Sequence, residues 1–100
     1  MYFIYILHSE TSDIHYIGYS SDVTARAHQH NFSDRPTFTS KHRPWTVAAV
    51  FRVGQIEAEA IRIERFIKKQ KSRSLLVRMI AGDKLSGVLA HLVRVPYVRD

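Results

Sequence analysis

Apolar and polar positions along this 100-residue chain change their period several times, and each change marks an element. Residues 2–7 ("YFIYIL") and 15–19 ("HYIGY") are β-branched and aromatic, and the polar "HSETSDI" between them has the composition of a hairpin loop. The pattern therefore predicts an opening β-hairpin. Asp22 or a serine before it can cap a short helix that runs to Asn31, followed by a long, partly basic loop, "FSDRPTFTSKHRP". Residues 46–53 ("TVAAVFRV") lie between Pro44 and Gly54 and read as a third, well-buried strand. Residues 55–71 carry Ile56, Ala60, Ile63 and Ile67 on one stripe, the clearest helical period in the chain. "SLLVRMIA", closed by Gly82, predicts another helix, and Leu85, Val88, Leu89, Leu92 and Val93 recur at helical spacing before Pro96. The expected class is α+β: a small three-stranded antiparallel sheet flanked by helices, in the order ββαβα with two C-terminal helices.

Composition narrows the picture. A chain of this length with 45% hydrophobic residues can bury one core, so one folding unit is expected. Fifteen Lys and Arg against nine Asp and Glu leave a net charge of +6, which favours polyanionic partners, nucleic acid ahead of acidic membrane surfaces. The absence of cysteine excludes disulfides, thiolate chemistry and cysteine-rich zinc sites, and fits a reducing compartment. The apolar opening "MYFIYIL" has no charged segment before it and no small-residue cleavage site after it. It is read as neither a signal peptide nor a membrane span, which makes the cytoplasm the expected location.

The stretch "YIGYSSDVTARAHQH" then poses a chemical question, because Arg26 and His30 lie one helical turn apart on the same face as each other. Arginine offers a permanent, planar, two-pronged contact to phosphate, and histidine can donate a hydrogen bond or pass a proton near neutral pH. An exposed cation beside a half-buried imidazole would satisfy the same pattern. Glu64 poses a similar question, since it falls on the border of the apolar stripe, where a half-covered carboxylate needs a partner. From the helix alone, an ion pair with Arg26 or Lys68 and a role as metal ligand fit equally well.

"FIY" (Phe3, Ile4, Tyr5) and "YIG" (Tyr16, Ile17, Gly18), followed eight residues on by Arg26, then His30, then a helix carrying Glu64, resemble the GIY-YIG nuclease domain. "KHRPW", "IERFIKKQKSR" and "IAGDKL" are similar to the small, single-domain branch of that superfamily. The likeness covers residues 2 to about 85. It implies a nuclease domain over residues 1–85, with residues 86–100 as a C-terminal helical extension packed on the same domain. It also implies an endonuclease that hydrolyses phosphodiester bonds with one divalent cation, Mg²⁺ or Mn²⁺, held by Glu64 through a hard oxygen ligand. Tyr5, Tyr16, Arg26, His30 and Glu64 become the candidate catalytic residues, with one of the tyrosines, Tyr5 ahead of Tyr16, orienting or deprotonating the attacking water. Gly18 is the structural position of the motif, where a side chain would crowd the backbone or an approaching phosphate. Two positions depart from the family pattern: Phe3 replaces the first glycine, and no asparagine follows the glutamate helix, where Gln70, Ser72 and Arg78 stand instead.

Basic residues fall in two clusters. One is "KHRPW", with Lys41, His42, Arg43 and Trp45; the other surrounds the glutamate helix and holds Arg62, Arg65, Lys68, Lys69, Lys71 and Arg73. Solvated faces are the common meaning of such runs, but beside a metal site they would follow a phosphate backbone, with Trp45 or Phe38 stacking on a base. Trp45 after a proline equally suits a core position. The expected partner is nucleic acid, DNA ahead of RNA, with no membrane, a protein partner through the tail helix as a further option, and a monomer or weak homodimer as the assembly. The alternative is a catalytically silent module of the same fold that binds nucleic acid or a protein partner. No separate DNA-binding domain accompanies the motif residues, so little sequence specificity is expected.

Overall fold

The computed structural model describes residues 1–97. Strands β1 (Tyr2–Ser9) and β2 (Ile14–Ser20) form the expected hairpin, with Tyr5 opposite Gly18 and Leu7 opposite Tyr16. Its turn closes where Asp13 adopts a left-handed φ of 50° and donates its N–H to the Ser9 carbonyl at 2.8 Å. Helix α1 (Val23–Phe32) follows, capped by the Asp22 carboxylate, which accepts from the Ala25 N–H at 3.0 Å. A loop containing a short 3₁₀ turn (Thr39–His42) leads to β3 (Trp45–Gly54). Helix α2 (Glu57–Gln70) starts with two acidic residues, Glu57 and Glu59, in its positive first turn and ends with Lys71 in the left-handed region. Helix α3 (Arg73–Ala81) is capped by Ser72 and closed by Gly82 at φ 85°.

The C-terminal segment corrects two expectations. No helix forms over residues 85–93; a 3₁₀ turn (Gly87–Leu89) is followed by a fourth strand, β4 (Val93–Val95). The sheet is four-stranded and antiparallel, in the order β2-β1-β3-β4. Apolar spacing of three and four is helical only when the segment continues for several turns. Here Gly87 at φ 62° bends the chain, a single turn delivers Leu89 to the core, and the β-branched Val93 and Val95 pair with Arg52 and Val50 of β3. Arg94 fastens the strand, donating to the carbonyls of Met79 and Ile80 at the end of α3 (3.3 and 2.8 Å) and to that of Ala48 (3.4 Å). The end of the expected 86–100 extension, residues 98–100, lies outside the described residues.

Alternation in β1 divides the interior in two. Ile4 and Ile6 point to one face of the sheet, where Ile17, Ala49 and Phe51 meet Ile63 and Ile67 of α2, Met79 of α3 and Leu89. Tyr5 and Leu7 point to the other, against Val23 of α1, Trp45 and Val50, with Tyr16 beside them. Among the described residues, no helix is long and apolar enough to cross a membrane.

Candidate active site

Tyr5 anchors the second face. It is fully buried, and its hydroxyl lies 2.9 Å from Nε2 of His30, which α1 brings over the sheet. Gly18, directly across from Tyr5, makes this possible: a methyl group there would collide with the Tyr5 hydroxyl and the ring carbon that bears it. The glycine is thus required by the tyrosine itself rather than by the backbone angle. Tyr16 packs its ring 4.9 Å from that of His30 and 6.2 Å from that of Trp45, and it stacks with the exposed Phe38 at 6.4 Å. These groups border a cleft of about 300 Å³ lined by Tyr16, Arg26, His30, Arg35, Phe38 and Thr39.

Arg26 is exposed at the rim of this cleft, and Tyr5 and His30 both feel it. Burial raises the Tyr5 pKa above its ordinary value near 10; Arg26, by hydrogen bonding and by charge, opposes that shift, and the charge of Glu64 adds to it. Burial, then the positive charges of Arg26 and Arg43, lower His30 below its ordinary 6.5, so at neutral pH its ring is uncharged. A neutral imidazole keeps one nitrogen lone pair free to accept a proton.

Glu64 belongs to the helix on the opposite face. Its side chain is only 17% exposed and meets the Lys68 ammonium at 3.1 Å, so Lys68, rather than Arg26, is its partner. Lys68 in turn lies over the Tyr16 ring, 5.5 Å from its centre. This contact crosses β2, the edge strand, which is how residues from both faces of the sheet come to surround Tyr16. A second cavity of about 340 Å³ begins there, lined by Tyr16, Lys68, Lys71, Ser72 and Arg73 among others. Tyr16 is thus common to both hollows.

The basic residues separate by location. Trp45 is buried, donates its indole N–H to the Thr39 carbonyl at 2.7 Å, and cannot stack on a base; the core position is the one it takes. Arg43 is committed to the main chain, donating to the carbonyls of His30 (2.6 Å) and Ser33 (2.7 Å), and so serves the loop rather than a phosphate. Lys41, Lys69 and Lys71 are exposed, and Arg73 is exposed but bound to the Asp13 carboxylate (3.0 Å) and carbonyl (2.8 Å). Of the residues standing near the missing asparagine, Gln70 turns back to the Phe66 carbonyl of its own helix and Ser72 caps α3.

Two residues escape sequence reasoning. Thr39 is buried, with its hydroxyl 3.0 Å from Nδ1 of His30. Asn31 clasps the Trp45 backbone, donating to its carbonyl at 2.9 Å and accepting its N–H at 2.7 Å. Both lie in or beside the long loop, where no periodicity marks a residue as inward-facing. The polar run itself was the available signal.

Residues 1–76 match the family model described as the GIY-YIG catalytic domain. The chain belongs to the GIY-YIG family. Its fold is of the nuclease type, and the nuclease domains of this family act on nucleic acids. No curated protein matches the chain. The match takes in Tyr5, Tyr16, Arg26, His30 and Glu64, and ends within α3, before Gly82 and β4.

Proposed function

We propose that this GIY-YIG protein is a metal-dependent endonuclease that hydrolyses DNA with little sequence preference. The observation that carries the reading is the hydrogen-bonded Tyr5–His30 pair, set at a cleft that Tyr16 and Arg26 share, with Glu64 joined to Tyr16 through Lys68. Such a grouping supplies a proton path, a fixed cation and an anionic ligand, the parts that phosphodiester hydrolysis needs.

Among the described residues, no cluster of three or more histidine or acidic ligands forms. One largely covered carboxylate nevertheless suits a hard cation that keeps most of its shell as water and phosphate oxygen, so Glu64 would hold Mg²⁺ or Mn²⁺. When bound, such an ion supplies positive charge to the phosphate and the leaving oxygen. The protein's own groups do the rest. Tyr5 takes the proton of the attacking water while its hydroxyl proton passes to Nε2 of His30. Arg26 lays its guanidinium on the phosphate oxygens as charge gathers there. The leaving oxygen departs and is protonated, giving a phosphomonoester and a hydroxyl end, and His30 returns its proton to solvent. Lys41, Lys68, Lys69, Lys71 and Arg73 contact neighbouring phosphates, which carry no sequence information. Residues 1–85 constitute this nuclease unit, and Val93–Val95 complete its sheet.

The test is a cleavage panel of single-stranded, duplex and branched DNA and of RNA, with Mg²⁺ or Mn²⁺, on the wild type and on Glu64→Gln. The variant is expected to fold and to bind nucleic acid but to cut nothing, since an amide cannot hold the cation by charge. Near-normal cutting by Glu64→Gln would overturn the metal assignment. A wild type that binds with steep salt dependence yet never cuts would make the chain a silent binding module.

A further inference from the structure

The buried hydroxyl of Thr39 has a neighbour on each side: Nδ1 of His30 at 3.0 Å and the hydroxyl of Thr37 at 3.1 Å. The chain Tyr5–His30–Thr39–Thr37 can be protonated in two senses, and the ends decide between them. At one end, the Tyr5 side chain is fully buried, so its hydroxyl proton needs an acceptor within the protein. Among the described residues, the acceptor the hydrogen bonds provide is Nε2 of His30. If His30 carried its proton on Nε2 instead, the buried Tyr5 proton would be left without a partner, at a cost of about 1–3 kcal/mol. At the other end, Thr37 can receive the Thr39 proton as well as the Ser40 N–H, which reaches it at 3.3 Å. All four groups are satisfied when every proton points from Tyr5 towards Thr37.

We propose that Thr39 is a positioning residue that holds His30 as the Nδ1–H tautomer, leaving Nε2 to receive the Tyr5 proton. This deepens the nuclease reading, on which its consequence for rate rests, but the tautomer itself is a property of the folded protein alone. Neutral histidine in water prefers the Nε2–H form, so the protein must supply the bias. Thr39 is well placed to do so, because its position is set independently of its hydroxyl: the Trp45 indole holds its carbonyl at 2.7 Å, and Arg43 holds the His30 carbonyl at 2.6 Å.

The decisive experiment reads the ring nitrogens of His30 by long-range ¹H–¹⁵N correlation at pH 7.5, with the signal assigned by its loss in His30→Gln. Wild type is expected to show Nδ1 protonated and Nε2 bare, Thr39→Ser to keep that pattern, and Thr39→Val to move towards Nε2–H. Thr37→Val, at an exposed position that does not disturb the core, is expected to move it the same way by freeing the Thr39 proton to turn to Nδ1. If cleavage is detected, Thr39→Val should slow it roughly a hundredfold, the lower end of the range for a general base, with Thr39→Ser restoring most of the rate. A wild-type ring protonated on Nε2, or a ring unchanged in both valine variants, would overturn the proposal whether or not the protein cuts DNA. The expected tautomer pattern in a protein that never cuts would instead leave this proposal standing and sink the nuclease reading.

Discussion

The two faces of the sheet are built by the same strands to different rules. On the α2–α3 face, Ile4, Ile6, Ile63, Ile67 and Met79 meet as hydrocarbon and sulfur, with no polar atom to satisfy. On the α1 face, Leu7, Val23 and Val50 share the interior with Tyr5, Tyr16, His30, Thr39 and Trp45, each of which carries a hydroxyl or ring N–H, and most of these are hydrogen-bonded to a named partner. A one-residue step along β1 moves from the first face to the second. The first face gives stability through close packing of hydrocarbon, whereas the second stores geometry, and its polar groups are costly unless each is matched.

The largest separation between the faces should appear in activity. If Arg26 stabilises charge on the phosphate, Arg26→Lys lowers single-turnover cleavage by roughly a hundredfold while affinity across a salt series barely changes. A fully active lysine variant would remove Arg26 from the chemistry. Next comes a crossed pair. Ile67→Ala, on the hydrocarbon face, should cost about 2–5 kcal/mol in denaturant unfolding and leave the turnover of the folded fraction intact. Gly18→Ala should cost turnover instead, because the new methyl must push the Tyr5 hydroxyl away from His30. If the glycine variant keeps full turnover, the Tyr5–His30 contact is not part of the mechanism.

The smallest effect is on pH. His30 is held below 6.5 by burial and by Arg26 and Arg43, so the unfolded chain binds the extra proton first as pH falls. The contribution is fully present above 6.5 and is lost as pH drops from there through the folded value. Unfolding free energy measured between pH 7.5 and 5 should therefore decline, and the acid limb of the cleavage rate should lie below pH 6.5. His30→Gln should flatten the stability trend; a trend unchanged by that substitution would place its source elsewhere.

The parts of this molecule that were legible in sequence are those governed by local rules. Apolar runs rich in β-branched and aromatic residues marked β1, β2 and β3, the 3.6 period marked α2, and Asp22 and Gly82 sit at the ends where caps belong. The GIY-YIG motif residues Tyr5, Tyr16, Arg26 and His30 do come together. What could not be read is what depends on distant partners. β4 forms because β3 has an open edge and the end of α3 has carbonyls for Arg94, and neither fact is written near residue 94. Trp45 and Arg43 look like nucleic-acid contacts in "KHRPW", yet the loop folds back and spends them on Thr39, His30 and Ser33. Tyr5 and Gly18 share a motif, but only the strand register reveals that one makes room for the other.

The three residues of β4 also bear on how the protein assembles and how it could fail. Val93–Val95 close the sheet by pairing with a strand some forty positions earlier, a contact that gains nothing until the helices between have been laid down. The nascent chain must therefore pass through a stage in which β3 presents bare amides and carbonyls beside Val50 and Phe51, a template for another copy. Arg94 counters that hazard twice, as a charge on the edge strand and as a latch to α3. A chain shortened before residue 93 would keep every residue proposed for cleavage and lose its safeguard against sticking to itself.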